Sequence, residues 1–270
     1  MVLLVVGVGL STVHNSTPSH ARFWVGGSKV EIHRNREASP AVAGGKRGKI
    51  QGFSFASRRR FMRRLAEVER SSLPVFVTLT FPDEFAPEAI RPAEWKKVFK
   101  RFAERFRRRF PQGGYFWRLE WEKRKSGAHV GMIFPHFHLL AYGVNYPDLL
   151  AWVGLAWWEA AGRLSEAHKK AGTRVERVRT VGGTFKYVSK YMAKVQTSGL
   201  DVGRVWGLMG IENIPFVKAV LCELTEREAV QFLRYVRRFA HIRGRDYSSL
   251  TVLLDAEQWW LRLDVLLYPP

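Results

Sequence analysis

Between Val75 and Phe81 the chain alternates, with Val75, Val77, Leu79 and Phe81 in one set, Phe76, Thr78 and Thr80 in the other, and Pro82-Asp83 ending the run. A period of two predicts a half-buried strand with the two threonine hydroxyls on its open face. From Pro92 to Phe110 the period lengthens. Trp95, Val98, Phe99, Phe102, Phe106 and Phe110 recur at spacings of three or four apart from one adjacent pair, which predicts an amphipathic helix. Tyr115 to Glu122 and Met132 to Tyr142 read as two strands of an antiparallel hairpin, joined by Lys123 to Gly131.

A short helix beginning near Ser57 sets Phe61, Leu65 and Val68 against an almost wholly arginine face, Arg58, Arg59, Arg60, Arg63 and Arg64. Downstream, the pattern predicts a helix over Pro147–Gly162, a strand around Val175–Val181, a helix over Thr184–Val195 and a strand near Phe216–Leu221. Thr225-Glu226-Arg227-Glu228 is a capping box that opens a helix to about Phe239, and Asp255 with Gln258 starts a Trp-rich terminal helix. The opening run Met1–Val13 reads as a buried strand, and residues 14–50, rich in Ser, Gly, Pro and basic side chains, as a mobile basic arm or a linker.

The order β-α-β-β-α-β-α-β predicts an α+β fold: a central antiparallel sheet of about five strands, flanked by helices. The expected division is an N-terminal strand and basic arm over 1–50, a main domain over 51–240 and a C-terminal helical extension over 241–270. No internal repeat is visible, which excludes solenoids and propellers.

Charge narrows the partner. The 270 residues hold 44 Lys and Arg against 24 Asp and Glu, a net charge of +20. Solubility needs far less, so a polyanion is expected. A membrane would require an anchor, and Met1–Val13 lacks a basic flank and is too short to span, so no membrane partner is expected. The single Cys222, read as a small buried hydrophobe, excludes an intramolecular disulfide and a cysteine-rich zinc module, and fits a reducing, cytoplasmic setting. On the long helix Lys96, Lys97, Lys100, Arg101, Arg105, Arg107, Arg108 and Arg109 run with Glu104 as the one carboxylate among them, which favours phosphate contact. The expected DNA contacts are Arg58, Arg59, Arg60, Arg63, Arg64, Lys97, Lys100 and Arg101, with Thr78 and Thr80 on the sheet.

Candidate chemistry comes from two short segments. In His136-Phe137-His138 strand alternation places both imidazoles on one face while Phe137 enters the core. Two such imidazoles can hold a divalent metal, and a carboxylate from the preceding strand, Glu120 or Glu122, can complete a triad. On a helix Tyr187, Lys190, Tyr191 and Lys194 form one stripe, opposite Val188, Met192 and Val195. A tyrosine oxygen there can attack a phosphodiester, a metal can polarise the phosphoryl oxygen and a lysine can offset the developing charge. The free phenol titrates near about 10, so attack needs help from metal or lysine.

Taken together, Phe76-Val77-Thr78-Leu79-Thr80-Phe81, His136-Phe137-His138 and Tyr187-x-x-Lys190-Tyr191 resemble, in this order, the motifs of the HUH endonuclease superfamily of rolling-circle replication initiators, the phage and plasmid Rep proteins. Further similarity lies in Gly52–Arg60, in Trp117-Arg118-Leu119-Glu120 and in Gly203-Arg204-Val205-Trp206-Gly207, so the likeness covers about residues 48–215. The resemblance implies an HUH or RRM-like core, with His136, His138 and Glu120 holding a divalent metal, Mg2+ or Mn2+, and Glu122 as the alternative carboxylate. It implies cleavage of single-stranded DNA at a replication origin through a 5′-phosphotyrosine. The paired tyrosines resemble the phage A-protein branch, in which both Tyr187 and Tyr191 act as nucleophiles, with Tyr187 the favoured first attacker and Lys190 and Lys194 beside them. Lys125–Phe134 departs from the family pattern. No Walker-type segment is present, so a host helicase is the expected partner for unwinding. The competing readings are a non-catalytic single-stranded nucleic-acid-binding protein, and an HUH transposase or relaxase.

Overall fold

The computed structural model describes residues 19–33, 50, 52–85, 92–124, 129–180, 184, 187–192, 194–197, 202–239 and 249–253. Strands β1 (His20–Trp24), β2 (Lys29–His33) and β3 (Gly52–Phe53) precede helix α1 (Phe55–Leu65) and strand β4 (Val75–Thr80). Helix α2 (Pro92–Arg109), the long strands β5 (Gly114–Lys123) and β6 (Ile133–Tyr142), and helices α3 (Tyr146–Ala160) and α4 (Glu166–Ala171) follow. Then come β7 (Thr173–Arg177), a π-helical turn over Val188–Met192, β8 (Gln196–Thr197), β9 (Trp206–Met209), β10 (Val220–Glu223), α5 (Glu226–Phe239) and β11 (Ser249–Leu253). Two compact units result, each discontinuous in sequence: residues 1–47, 59–71 and 216–270 form one, residues 48–58 and 72–215 the other.

The second unit is the α+β body that the pattern predicts. Its five-stranded sheet runs β7-β4-β6-β5-β9 and every pairing is antiparallel. The odd-numbered positions of β4 and β6 face helices α2 and α3. Phe137 is wholly buried, its ring stacked on Phe99 with centroids 4.0 Å apart. Trp157 of α3 meets Phe81 edge-on at 5.0 Å, and Phe106 of α2 meets Tyr115 at 4.9 Å. Each buried ring contributes roughly 1.5–3 kcal/mol through its removal from water, so this aromatic layer dominates the stability of the sheet. Asn145 caps α3 by accepting a hydrogen bond from the Asp148 amide.

The hairpin survives the unusual stretch between its strands. Pairing runs unbroken from Gly114↔Tyr142 to Lys123↔Ile133, and the Arg124 amide donates to the Met132 carbonyl at 2.8 Å. The extra residues therefore lie beyond the paired part and leave its register untouched.

The fifth strand of this sheet differs from the expected one. Phe216 makes only an isolated bridge to Val68, while the strand near it, β10, starts at Val220 and belongs to the other unit. The sheet is completed instead by β9, which holds a glycine that weakens its strand pattern. Packing explains that glycine: a Cβ on Gly207 would lie 2.8 Å from the Trp117 indole nitrogen.

In the first unit the sheet runs β10-β1-β2-β11, again antiparallel. Residues 20–33 are thus a hairpin rather than part of a mobile arm: Ala21, Phe23, Val30 and Ile32 are buried, and Gly26 takes the positive φ of 87° that the turn requires. The alternation there spans only five residues per strand, too short to stand out beside its polar flanks. Ser249–Leu253, inside the segment expected to be helical, is a strand, in keeping with its Thr-Val centre. Arg63 pairs with Glu31 at 2.5 Å, and Lys29 bridges Glu31 and Glu67 at 2.8 and 2.6 Å. The Met1–Val13 strand, residues 34–49 of the arm and the helix expected after Asp255 lie outside the described residues.

Candidate active site

Register fixes which side chains share the open face of the five-stranded sheet, because directly paired residues point the same way. One row across the strands is Arg174, Thr78, His138, Arg118 and Trp206; the next holds Thr80, His136 and Glu120. A third is Glu176, Phe76, Leu140 and Phe116. Both imidazoles, both threonine hydroxyls and Glu120 therefore converge on one face, opposite α2 and α3.

Each imidazole is anchored by a hydroxyl. Thr78 Oγ1 is 3.1 Å from His138 Nδ1, and Thr80 Oγ1 is 3.1 Å from His136 Nδ1. His138 Nε2 meets Glu120 Oε2 at 3.0 Å. A carboxylate can only accept, so this nitrogen donates, and in the neutral ring Nδ1 then accepts from Thr78. Burial would raise Glu120, but His138 and then Lys194 and Arg118 hold it below the ordinary carboxylate range. Burial, helped by His138, pushes His136 down to about 4, although its edge is still partly open to solvent. A neutral imidazole is the form that can donate its lone pair to a metal.

The donor set of two imidazoles and a carboxylate suits a divalent cation, and the threonine contacts are the kind that fix ligand orientation. As it stands the arrangement is not closed around an ion: among the described residues no three His, Cys, Asp or Glu side chains are placed to hold one. His138 Nε2 carries Glu120 instead, so metal binding requires that contact to open.

The tyrosines come from the π-helical turn. Val188 and Met192 are fully buried and fasten the turn, which leaves Tyr187 and Tyr191 on its other side with their rings 6.3 Å apart. The wide turn replaces the regular helix expected over Thr184–Val195 in its described part; such turns recur at functional sites. Phe76 lies beneath both rings, 4.9 Å from Tyr187 and 5.4 Å from Tyr191. Tyr191 also approaches the His138 ring at 5.2 Å. Tyr187 instead donates its hydroxyl to Glu176, whose other oxygen receives Arg174 Nε at 2.8 Å. That hydrogen bond, chiefly, raises the Tyr187 phenol above its usual value.

Lysines flank the pair differently. Lys190 places its ammonium 4.7 Å from the centre of the Tyr191 ring. Lys194 is tied to Glu122 and lies 3.5 Å from Glu120, and the Glu122 contact, first of all, raises its ammonium. Glu122 thus serves Lys194, while Glu120 touches the histidine.

Several of these contacts carry no sequence signal. Glu176 and Phe76 matter only through the register of β4 and β7. Arg118 is fully buried, stacked 4.2 Å over Phe53, and reaches the Lys194 carbonyl at 3.3 Å and Gln196 Oε1 at 3.5 Å, tying the chain after the tyrosine turn to the sheet. Burial pushes its guanidinium down to about 10 against the pull of Glu120.

The expected phosphate contacts are dispersed. Lys97, Lys100 and Arg101 lie on α2, behind the sheet; Lys97 pairs with Glu94 at 2.7 Å and Arg101 Nε donates to the Ala160 carbonyl at 2.8 Å. On α1 Arg59 and Arg60 are exposed and Arg58 half-exposed, whereas Arg63 and Arg64 are engaged by Glu31 and Glu67. Cys222 is half-buried on β10. No described helix is long and apolar enough to cross a membrane.

Comparison with known proteins adds one match: residues 74–196 fit the family of replication-associated protein ORF2. Neither a curated protein nor a solved structure matches the chain significantly.

Proposed function

We propose, from the premise that residues 74–196 place this chain in the replication-associated protein ORF2 family, that it initiates rolling-circle replication by nicking single-stranded DNA at an origin. The observation that carries this reading is the stack on the open sheet face, where Tyr191 lies 5.2 Å from His138 and Tyr187 shares the Phe76 platform. Two phenols beside two neutral imidazoles are poorly explained as a structural surface. They are well placed to hold a phosphodiester between nucleophile and electrophile.

In this reading His136, His138 and Glu120 hold a divalent cation, Mg2+ or Mn2+, which supplies Lewis-acid polarisation of the phosphoryl oxygen. Tyr191 is the first nucleophile, in place of Tyr187, because it is the phenol against the histidine. Its oxygen bonds to phosphorus, the 3′ oxygen of the cut strand leaves, and the phenol proton passes to solvent or a nearby base. Lys190 and Lys194 offset the charge gathering on the phosphoryl group. Tyr187, parked on Glu176, is kept protonated until the second transfer, when it takes the strand from Tyr191 and permits rejoining. Unwinding falls to a separate helicase of the host.

Incubation with a labelled single-stranded origin oligonucleotide and Mg2+ or Mn2+ tests this. A covalent adduct that survives denaturation, maps to Tyr191 and disappears with a chelator is expected. Tyr191→Phe abolishes the first adduct, while Tyr187→Phe permits cleavage and blocks second transfer. Cleavage by the double Tyr187→Phe, Tyr191→Phe protein overturns the tyrosine mechanism, and binding without any adduct points to a non-catalytic binder.

A further inference from the structure

The register that gathers the imidazoles on one face sends the basic helix to the other. Phe137 points away from its flanking histidines and stacks on Phe99, so α2 and its outward cations lie behind the sheet. They cannot contact the same nucleotide that sits against the tyrosines. On the site face much of the positive charge is locally answered: Lys194 by Glu120 and Glu122, Arg174 by Glu176.

Behind the sheet the balance differs. A groove of about 340 Å³ runs between the end of α2 and α3, lined by Arg105, Arg108, Arg109, Trp152, Leu155 and Glu159. Glu159 answers Arg105 at 2.7 Å and Arg163 at 2.7 Å. Arg107, Arg108 and Arg109 are exposed and make no ion pair among the described residues. Cations in a last helical turn complement the helix dipole, but that dipole amounts to only about half a charge. Three arginines exceed it.

The floor of the groove is apolar. Trp152 is fixed by the rings of Phe102, Phe106 and Phe110 at 5.7, 6.2 and 5.2 Å, and is only partly covered, while Leu155 is 47% exposed. A rigid indole beside unpaired arginines is the pairing that takes an unstacked base and its phosphates.

We infer that this groove is a second single-stranded DNA site, in which Arg108 and Arg109 hold phosphates and Trp152 and Leu155 receive a base, on the sheet face away from the tyrosines. It rests on the proposed function only for the identity of the polyanion as DNA. The strand leaving the tyrosine face would pass the sheet edge and be held again behind it, which keeps the cut strand near the enzyme between the two transfers.

The test uses the full chain, fluorescent oligothymidylate and a salt series. Arg108→Ala with Arg109→Ala is expected to weaken binding roughly tenfold and to lower the log-log salt slope by about 1.4, since each single-strand phosphate contact contributes about 0.7. Both side chains are exposed, so the fold is retained, and adduct formation with a short origin oligonucleotide stays unchanged. Photo-crosslinking through 5-iodouracil is expected to label the α3 peptide that holds Trp152. An unchanged slope, or crosslinks confined to the sheet face with the tyrosines, overturns the inference. Arginine dependence seen for duplex but not for oligothymidylate overturns the single-strand assignment. If no tyrosine adduct forms yet slope and crosslink behave as stated, the proposed function fails and the groove stands.

Discussion

Replacing the two threonines of β4 by valine separates hydrogen bonding from shape at the candidate metal ligands. Thr78→Val strips the partner from His138 Nδ1, and Thr80→Val does the same to His136 Nδ1; both contacts are 3.1 Å. The environments differ. His138 is 4% exposed, with Phe76 stacked 5.7 Å from it and Tyr191 above, so no water replaces the lost hydroxyl. A buried polar atom left without a partner costs about 1–3 kcal/mol. His136 keeps an edge open to solvent, so its loss is closer to the net value of one hydrogen bond, about 0.5–1 kcal/mol. Thr78→Val should therefore destabilise the unit by about 1–2 kcal/mol more than Thr80→Val. Urea unfolding at constant slope measures this, and amide exchange of β4 and β6 reads the same unit if the two units unfold separately. Metal affinity should fall in both variants, by about 10–100-fold, as for loss of an outer-shell partner. Equal destabilisation, or a larger cost at Thr80, refutes the burial reasoning.

Further expectations follow from the same geometry. Phe137→Ala removes a wholly buried ring between the two histidines and should cost about 3–5 kcal/mol in denaturant unfolding; a cost under about 1 kcal/mol would mean the aromatic layer is not holding β6. His136 titrates near about 4 in the folded chain against 6.5 ordinarily, so the unfolded chain takes up its proton first as the pH falls. The sheet unit then keeps full stability above the ordinary value and loses it on acidification towards the folded one. Relative to His136→Asn, the native chain should lose about 1–2 kcal/mol between pH 7 and 5, and a flat difference would show that His136 is not held neutral. Glu176→Gln removes the acceptor that raises the Tyr187 phenol, so that phenol should titrate lower, read by NMR of a ring-labelled tyrosine; no movement would mean Glu176 does not hold it.

The legible parts of the fold are those where one periodicity runs long enough to outvote its neighbours. Trp95 through Phe106 made α2 plain, and the alternation in β4 and around His136 placed Thr78, Thr80 and both imidazoles on one face with no structural knowledge. Short elements escaped. β1 and β2 have five residues each and lie beside turn-forming residues, while β9 has four with a glycine inside that exists for the Trp117 ring. The site was legible as chemistry and not as geometry. Glu120 directly opposes His136 yet bonds diagonally to His138, and Glu176 becomes Tyr187's partner only because β7 pairs with β4. Such relations belong to strand order, which no local pattern encodes.

The layer behind the sheet also governs how firmly the site is held. The Thr80 carbonyl accepts from Trp157 Nε1 at 2.7 Å and from His168 Nε2 at 2.8 Å, while the Thr80 amide donates to the Gly172 carbonyl at 2.8 Å. The backbone of this one residue is thereby pinned by α3, by α4 and by the start of β7, and its hydroxyl is left to orient His136. Trp157 in turn abuts Phe81 and Phe102, which ties the pin to the aromatic core. Ligand orientation errors of about half an ångström are enough to spoil a reactive constellation. A strand end carrying an orienting hydroxyl cannot be left to fray, and the fully buried Trp157 and the buried His168, neither of which touches the site face, are the groups that prevent it.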